Sequence, residues 1–265
     1  MRILIIGSNS FLAKNFIDKY SKNIKFFYFN LYFFNNSREF LKKIYQYVNK
    51  KKINHIINFI GNNDNSLFPL KADHILRDNF ILPLNLINLF KKKKINFTFF
   101  SSVEINKIEN PNDNSIYSLS KFFLLEALRF FPTKNKISLI KMDTVFGPHD
   151  LNFNRLIPAL MLKILIRKQN IKLKLSQKKR LVYVNEILPI VLKTTKNKKS
   201  IDIIIVKGKN YDISNLWKNI NNSLLNKYTV VAKNKNFYNF IKTFEWYKNN
   251  LWMIKKRIKK YHNRI

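Results

Sequence analysis

A tyrosine and a lysine four residues apart are the side chains of this sequence best suited to acid–base chemistry. Tyr117 and Lys121 begin a stretch whose apolar spacing, up to Phe130, predicts a helix. Residues i and i+4 share one face of a helix, so the ammonium is expected one turn away from the phenol. A neighbouring positive charge lowers the pKa of a phenol from about 10, which lets it exchange a proton with an alcohol or a ketone. In a chain with 41 lysines the same spacing also arises by chance.

Two serines follow the predicted strand that precedes this helix. Ser101 and Ser102 come directly after the strand predicted over residues 96–100. Open α/β sheets carry their reactive groups at the carboxyl ends of the strands. The Ser102 hydroxyl is therefore a candidate to hydrogen-bond a substrate oxygen beside the tyrosine.

Glycine is rare in the sequence and occurs only at positions 7, 61, 147 and 208. Gly7 lies between an apolar run and a stretch with helical spacing, where a tight turn can approach a dinucleotide pyrophosphate at a helix N-terminus. Such a turn normally has two further glycines, and here Ser10 and Ala13 occupy their positions. A structural turn without any ligand explains this stretch equally well.

Strand and helix patterns alternate along the chain and predict an α/β fold, a Rossmann-like doubly wound parallel sheet with a small C-terminal substrate-binding lobe. Strands are predicted at 2–6, 24–29, 53–60, 96–100, 137–142 and 201–206, with an exposed strand at 171–175. Helices are predicted at 11–20, 39–48, 76–93, 117–130, 156–167 and 214–225. We expect a dinucleotide-binding domain over residues 1–148 with part of 180–206. Residues 149–265 are then mainly the substrate lobe and a basic C-terminal helix, which is solvated or lies on a membrane or a partner.

Charge and composition narrow the class of protein. The net charge is +35 over 265 residues, but lysines outnumber arginines 41 to 9 and are spread along the whole chain. Arginine is the preferred residue for bidentate recognition of bases and phosphates, so we expect no specific nucleic-acid partner. The chain has no cysteine, which excludes disulfides and fits a cytoplasmic protein. Its four histidines lack the spacing of metal ligands, and no apolar stretch approaches the roughly 18 residues of a membrane span.

In their order along the chain, these features resemble those of the extended short-chain dehydrogenases, the NAD-dependent nucleotide-sugar epimerases, dehydratases and reductases. The resemblance covers about residues 1–225. Besides the turn at Gly7, Ser101, Ser102 and the Tyr117–Lys121 stretch, it rests on Ile56–Gly61, Asn79, Thr144–Pro148, Leu156–Pro158, Arg180–Val184 and Val206–Gly208.

The resemblance implies a role for each matching residue. Tyr117 would be the general acid/base, Lys121 would bind the nicotinamide ribose and tune the tyrosine, and Ser102 would orient the reacting oxygen. The cofactor, NAD or NADP, would be bound by Gly7, Ser10, Phe11, Leu12, Asn30, Gly61 and Lys121. The substrate, a nucleoside-diphosphate sugar, would be bound by Glu104, Thr144 and Arg180. The family further implies a homodimer packed through helices that include the Tyr117 helix, and a place in cell-surface polysaccharide biosynthesis.

Departures from the family pattern leave the particular reaction open. Asn30 stands where an acid would favour NAD, and Arg38 nearby could meet the 2′-phosphate of NADP. The segment between Ser102 and Tyr117 is shorter than usual, and Thr144 replaces an asparagine. We expect 4-keto reduction or epimerisation. The alternatives are a 4,6-dehydratase that uses Glu104 as a base, and a non-catalytic relative that binds a dinucleotide or RNA.

Overall fold

The computed structural model describes residues 1–29, 37–63, 71–103, 105, 115–130, 133–166, 178–218 and 237–262. The chain divides into two compact units. The first contains Met1–Asp143 and Ile187–Lys207, and the second contains Thr144–Glu186 and Gly208–Ile265. The dinucleotide-binding and substrate-binding roles expected for the two parts of the chain remain predictions.

In chain order, the strands are β1 (Ile3–Ile6), β2 (Phe26–Phe29), β3 (His55–Asn58), β4 (Asn96–Ser102), β5 (Lys136–Met142), β6 (Thr144–Phe146), β7 (Lys178–Tyr183), β8 (Ile201–Val206) and β9 (Lys209–Asp212). The helices are α1 (Phe11–Tyr20), α2 (Ser37–Lys50), α3 (Ala72–Leu76), α4 (Leu82–Leu89), α5 (Ile116–Phe130), α6 (Leu156–Ile166), α7 (Val184–Thr194), α8 (with residues 213–218), α9 (Tyr238–Asn249) and α10 (Leu251–His262). A π-helical turn, Arg77–Ile81, joins α3 to α4. None of the helices described is both long and apolar enough to cross a membrane.

A six-stranded sheet forms the first unit, with the order β2-β1-β3-β4-β5-β8 and every pairing parallel. All residues of β1 and β3 are buried, as expected for strands covered on both faces by helices. Strand β2 lies on one side of β1 and strand β3 lies on the other side. The strand order therefore reverses between β1 and β3. In open α/β sheets, ligands bind at the carboxyl ends of the strands beside such a reversal. The predicted doubly wound parallel sheet is confirmed.

The helix predicted over 76–93 differs from the structure. Helical structure begins at Ala72, passes through the π-helical turn and ends at Leu89. Pro83 lies in the first turn of α4, where its missing N–H leaves one helical hydrogen bond unmade. The strand expected at 171–175 lies outside the described residues, and the helix expected over 214–225 is described only at 213–218.

The second unit contains a three-stranded sheet in which β7 lies between β6 and β9. β6 runs parallel to β7, and β9 runs antiparallel to it. Helix α9 packs on this sheet through Phe240, whose ring stacks on Phe146 with 4.2 Å between the centroids. The buried Tyr247 of α9 donates a hydrogen bond to the carbonyl oxygen of Asp150. This unit thus has a core of its own.

A buried chain of hydrogen bonds crosses the first unit from β3 to α7. The Thr194 hydroxyl donates to the Val191 carbonyl oxygen (2.6 Å), so it can only accept from the Thr98 hydroxyl (2.6 Å). The Thr98 oxygen must then accept from His55 Nε2 (2.8 Å). The order of donors requires a proton on His55 Nε2, and the lowered pKa of His55 keeps the ring neutral near pH 7. Its Nδ1 is buried and meets no polar atom in the described part of the chain.

This arrangement predicts acid sensitivity through His55. Burial lowers the pKa of His55 from 6.5 to about 3, so the unfolded chain takes up a proton at a pH where the folded protein does not. The stability that the neutral His55 provides is fully present above pH 6.5 and is lost as the pH falls towards 3, by about 5 kcal/mol in all. We expect His55→Gln, which keeps a donor for Thr98, to remove this part of the pH dependence in urea unfolding. A His74→Gln control, at a more exposed histidine, should follow the wild type; equal slopes for all three proteins would contradict the prediction.

Candidate active site

The turn after β1 is built by the backbone around Gly7. Gly7 has a φ of +79°, and a Cβ there would lie 2.8 Å from Ile60 Cγ1 and 2.9 Å from Ile60 N. Ser10 donates its backbone N–H to the Gly7 carbonyl oxygen (3.0 Å), and its hydroxyl accepts from Ala13 N (3.3 Å) as the N-cap of α1. The turn therefore brings the N-terminus of α1 beside the end of β3, at the point where the strand order reverses.

Gly7→Ala is expected to destabilise the protein. A side chain at this φ is strained, and its Cβ would meet backbone atoms that cannot move aside, so the free energy of unfolding should fall by about 2–4 kcal/mol. Gly61→Ala is a matched control, since its Cβ would lie 3.3 Å from Asn79 Oδ1 and its φ lies outside the left-handed region. Chemical unfolding of both variants tests this; equal losses would contradict a special need for glycine at position 7.

Asn79, in the π-helical turn, links the segment after β3 to helix α5. Its Oδ1 accepts from Asn62 N (3.0 Å), while its Nδ2 donates to the Asn62 carbonyl oxygen (2.8 Å) and to Ser120 Oγ (3.0 Å). The Ser120 hydroxyl in turn donates to the Tyr117 carbonyl oxygen (2.7 Å). Asn79 is only 1% exposed, so these bonds form in the interior. They hold the first turn of α5 at a fixed position against the end of β3.

Lys121 is a buried cation on α5. Its Nζ donates to the Phe100 carbonyl oxygen on β4 (2.9 Å) and lies 6.0 Å from the centroid of the Tyr117 ring. It would also lie 3.6 Å from a Cβ at Gly61. Burial lowers the pKa of Lys121 from 10.5 to about 8, while the nearby carboxylate of Asp78 acts in the opposite direction.

The ammonium of Lys121 has more donors than the described residues satisfy. An ammonium carries three N–H donors. Among the residues that the structure describes, the Phe100 carbonyl oxygen is the only acceptor that is hydrogen-bonded to Lys121 Nζ. A buried charge with unmet donors is costly, and a ligand that brings hydroxyl groups beside Gly61 would satisfy them. The geometry therefore suits the hydroxyls of a sugar.

Ser101 and Ser102 end β4 directly after Phe100, whose carbonyl oxygen accepts a hydrogen bond from Lys121. Both side chains are buried, 4% and 8% exposed, and they point to opposite faces of the sheet because successive residues of a strand alternate. Ser101 Oγ has no polar partner among the described residues. Tyr117 lies half-buried in the first turn of α5, where Ser115 caps the helix by accepting from Ser118 N (3.2 Å).

Comparison with family models identifies the chain. The model of the NAD dependent epimerase/dehydratase family matches residues 33–212. The chain belongs to this family. This confirms the resemblance drawn from the motifs, and with it the expectation of a nicotinamide dinucleotide as cofactor, which in this family is NAD.

Solved structures share the fold at low sequence identity. The UDP-glucose 4-epimerase from Thermotoga maritima, solved with UDP-glucose, is 14% identical with a TM-score of 0.76, over 95% of this chain and 100% of that one. The Bordetella bronchiseptica enzyme WbmF, solved with NAD+, is 14% identical with a TM-score of 0.78, over 100% and 97% of the two chains. The UDP-N-acetylglucosamine 4-epimerase from Methanobrevibacter ruminantium M1, solved with UDP-N-acetylmuramic acid, is 18% identical with a TM-score of 0.74, over 94% and 98%. Comparison with curated proteins gives no match.

The other predicted site residues of this epimerase/dehydratase-family chain lie in both units. Phe11 and Leu12 are half-buried in the first turn of α1, after the Gly7 turn. Thr144 begins β6 opposite Leu181, and Arg180 is exposed on β7 in the second unit. Asn30 and Glu104 lie outside the described residues. Within the described residues, no group of three or more acidic or histidine side chains is placed to hold a metal ion.

The groups that hold Tyr117 and Lys121 in place in this family member were not predicted from the sequence. Asn79 contributed to the resemblance, but its role as a link between β3 and α5 follows only from the structure. Its sequence signal is an asparagine directly after Asp78 and directly before the apolar stretch 80–84. Ser120, inside the Tyr117–Lys121 stretch, could have been found by the same reasoning. The Phe100 carbonyl could not, since a backbone acceptor leaves no trace in the sequence.

Proposed function

We propose that this chain is an NAD-dependent enzyme that transfers a hydride to or from a sugar carbon of a nucleoside-diphosphate sugar, in epimerisation or in 4-keto reduction. The observation that supports this most strongly is the buried Lys121 ammonium, which lies between the Tyr117 ring, the Phe100 carbonyl and Gly61. Among the described residues no carboxylate forms an ion pair with Lys121, and a buried cation without such a partner has little value for stability. The free-energy cost of burying the ammonium is understandable if it binds a ligand and lowers the pKa of a neighbouring phenol.

The residues around the Gly7 turn fit a dinucleotide. Gly7 leaves room for no side chain, and Ser10 caps a helix whose first N–H groups favour an anion such as pyrophosphate. Gly7, Ser10, Phe11 and Leu12 would bind the pyrophosphate, while Gly61 and Lys121 would border the nicotinamide ribose. Asn30 would contact the adenosine ribose. The nicotinamide, when bound, supplies the hydride acceptor or donor.

The proton that accompanies the hydride would be transferred by a side chain of the protein. In reduction, the Tyr117 hydroxyl would give its proton to the oxygen of the sugar ketone as that oxygen becomes an alcohol; in oxidation it would take the proton back. Ser102 would hydrogen-bond the same oxygen, and Lys121 would stabilise the phenolate by its charge. Arg180 would hold the substrate diphosphate, and Thr144 and Glu104 would also bind the substrate.

Thermal unfolding with added ligands tests the binding part of the proposal. We would titrate NAD, NADP and a panel of UDP-, dTDP-, CDP- and GDP-sugars against the full chain. A ligand at 100 times its dissociation constant stabilises the folded state by about 2.7 kcal/mol, which a melt resolves readily. NAD should stabilise more than NADP, since the family is NAD dependent. The absence of any shift with either dinucleotide would contradict the proposal.

The products distinguish the possible reactions. An epimerase interconverts two sugars without net use of cofactor, because the hydride returns to the substrate. A reductase oxidises one NADH or NADPH for each ketone reduced. A 4,6-dehydratase releases water to give a 4-keto-6-deoxy sugar, and it should lose this activity in Glu104→Gln. Dinucleotide binding without turnover of any sugar would favour the non-catalytic alternative.

A homodimer is part of the proposal and has a surface that supports it. Helix α5 carries Phe123 (42% exposed) and Phe130 (82% exposed), seven residues apart and thus on one side of the helix. Ile81 of the π-helical turn is 46% exposed. We also propose a cytoplasmic location and a role in cell-surface polysaccharide biosynthesis, both supported by the family resemblance.

Replacing the two phenylalanines tests the dimer. Phe123→Glu with Phe130→Glu should convert the protein to monomers in light scattering, because two charges would be buried at the interface. A matched control is Tyr28→Glu on β2, an aromatic residue with 43% exposure outside this surface. A wild type that is already monomeric, or a double variant that stays dimeric, would contradict the prediction.

A further inference from the structure

We propose that the exposed face of α10 is a docking surface for membranes that contain anionic phospholipid. The helix has the sequence Leu-Trp-Met-Ile-Lys-Lys-Arg-Ile-Lys-Lys-Tyr-His, with five basic residues and no acidic one. The inference is independent of the reaction proposed above, since it concerns a different surface of the chain.

The burial pattern of α10 separates two faces. Ile254 is fully buried, whereas Trp252 is 71% exposed. Lys255 and Lys256 are also exposed and follow Trp252 by three and four residues, so these three side chains share the outer face of the helix. Arg257 is exposed as well, but it lies about 140° around the helix from Trp252 and therefore outside this face. The outer face, Trp252 with Lys255 and Lys256, combines an indole with two positive charges.

The exposure of Trp252 is unusual within this chain. Trp246 is half-buried beside His149, with 4.7 Å between the ring centroids, and Trp217 has Lys163 Nζ over its ring at 5.6 Å. Tryptophan is enriched at the boundary between lipid and water, where the indole lies among headgroups and its N–H stays hydrated. Lysines around such a tryptophan reach the phosphate groups of the lipids.

Charge identifies the kind of lipid. The outer face contains no carboxylate, and the chain as a whole carries +35, so a neutral bilayer would gain only the contact with Trp252. Each basic residue near an anionic surface adds an attraction that decreases as the salt concentration rises. Nucleic acid fits less well, because this face has no arginine, the residue best suited to recognising bases and phosphates. The surface is thus suited to lying on an anionic membrane and not to spanning it.

Vesicle co-sedimentation of the full chain tests the proposal. We would compare vesicles of phosphatidylcholine with vesicles of phosphatidylcholine mixed with phosphatidylglycerol. Wild type should bind only the mixed vesicles, and Lys255→Gln with Lys256→Gln should weaken binding about tenfold or more. A matched control, Lys91→Gln with Lys92→Gln, removes the same charge from exposed lysines of the first unit and should bind nearly as well as wild type.

Trp252 separates specific docking from general attraction. Trp252→Ala leaves the charge unchanged and should weaken vesicle binding severalfold, and brominated lipid should quench the fluorescence of wild type more than that of Trp252→Phe. All these positions are exposed, so thermal melts should match wild type. Equal losses in the two double-lysine variants, full binding by Trp252→Ala, or no binding to mixed vesicles would overturn the proposal. Stronger binding to a single-stranded DNA oligonucleotide, lost in the same variants, would also overturn it.

Discussion

Replacing Lys121 with methionine is expected to make the protein more stable and inactive. Methionine has a similar length but no charge, so it fills the same space beside the Tyr117 ring without a buried ammonium. Burial lowers the pKa of Lys121 to about 8, so the folded protein holds this charge at a cost. Removing the charge should raise the free energy of unfolding at pH 7 by about 2 kcal/mol, after subtraction of about 1 kcal/mol for the lost hydrogen bond to Phe100.

The pH dependence has a defined direction. Between pH 8 and 10.5 the unfolded chain keeps the Lys121 proton while the folded protein releases it, so wild-type stability rises with pH across this window. The gain amounts to about 3 kcal/mol and is absent in Lys121→Met. Below pH 8 both states are protonated, and the difference between the proteins stays constant.

Urea unfolding of wild type, Lys121→Met and the exposed control Lys91→Met across this pH range measures the effect. The stability of Lys91→Met should depend on pH in the same way as that of wild type. Because this control also removes one lysine, it corrects for the relief of repulsion among the other lysines. Added NAD should reduce the difference in the free energy of unfolding between Lys121→Met and wild type, because NAD stabilises the wild type and binds the variant less. A variant less stable than wild type at pH 7 would mean that Lys121 serves structure and not function, since function often costs stability.

The fold could be predicted because its determinants are local. Apolar runs such as Ile3–Ile6, closed by a rare glycine, mark buried parallel strands. Their alternation with helical stretches leaves few possible arrangements. The elements not predicted have weaker patterns: Pro189 lies inside α7, and β9 consists of mostly exposed residues. Such elements form because tertiary contacts outweigh local preference, as where the backbone of Gly208 lies against that of Leu181.

The candidate site could be predicted in its side chains but not in its supports. The spacing of Tyr117 and Lys121 placed both on one helix face, and the structure brings their side chains together as expected. The π-helical turn that aims Asn79 at Ser120 depends on one extra residue in a helical turn, which no periodicity reveals. The pKa of Lys121 depends on burial, which becomes known only when the strands and helices are assembled.

Tyr117→Phe is expected to reduce sugar turnover by a factor of about 10² to 10⁴, the usual contribution of a general acid or base. The change removes one hydroxyl and keeps the ring, so the contact between the ring and Lys121 Nζ should remain. The affinity for NAD, measured by the thermal shift, should change little, because no cofactor contact is proposed for the hydroxyl. Loss of kcat with an unchanged shift would therefore separate proton transfer from binding.

Two further variants, each of which also removes a single hydroxyl group, are compared with Tyr117→Phe. Tyr28→Phe removes an exposed hydroxyl on β2 and should leave kcat unchanged. Ser102→Ala should lower kcat less than Tyr117→Phe, because a hydrogen-bond donor to the reacting oxygen orients the substrate but does not supply its proton. In a reductase the loss should appear in ketone reduction, and in an epimerase in both directions equally, since one residue gives and takes the proton. Turnover at the full wild-type rate in Tyr117→Phe would remove the tyrosine from the reaction, and with it the reason for a buried ammonium beside its ring.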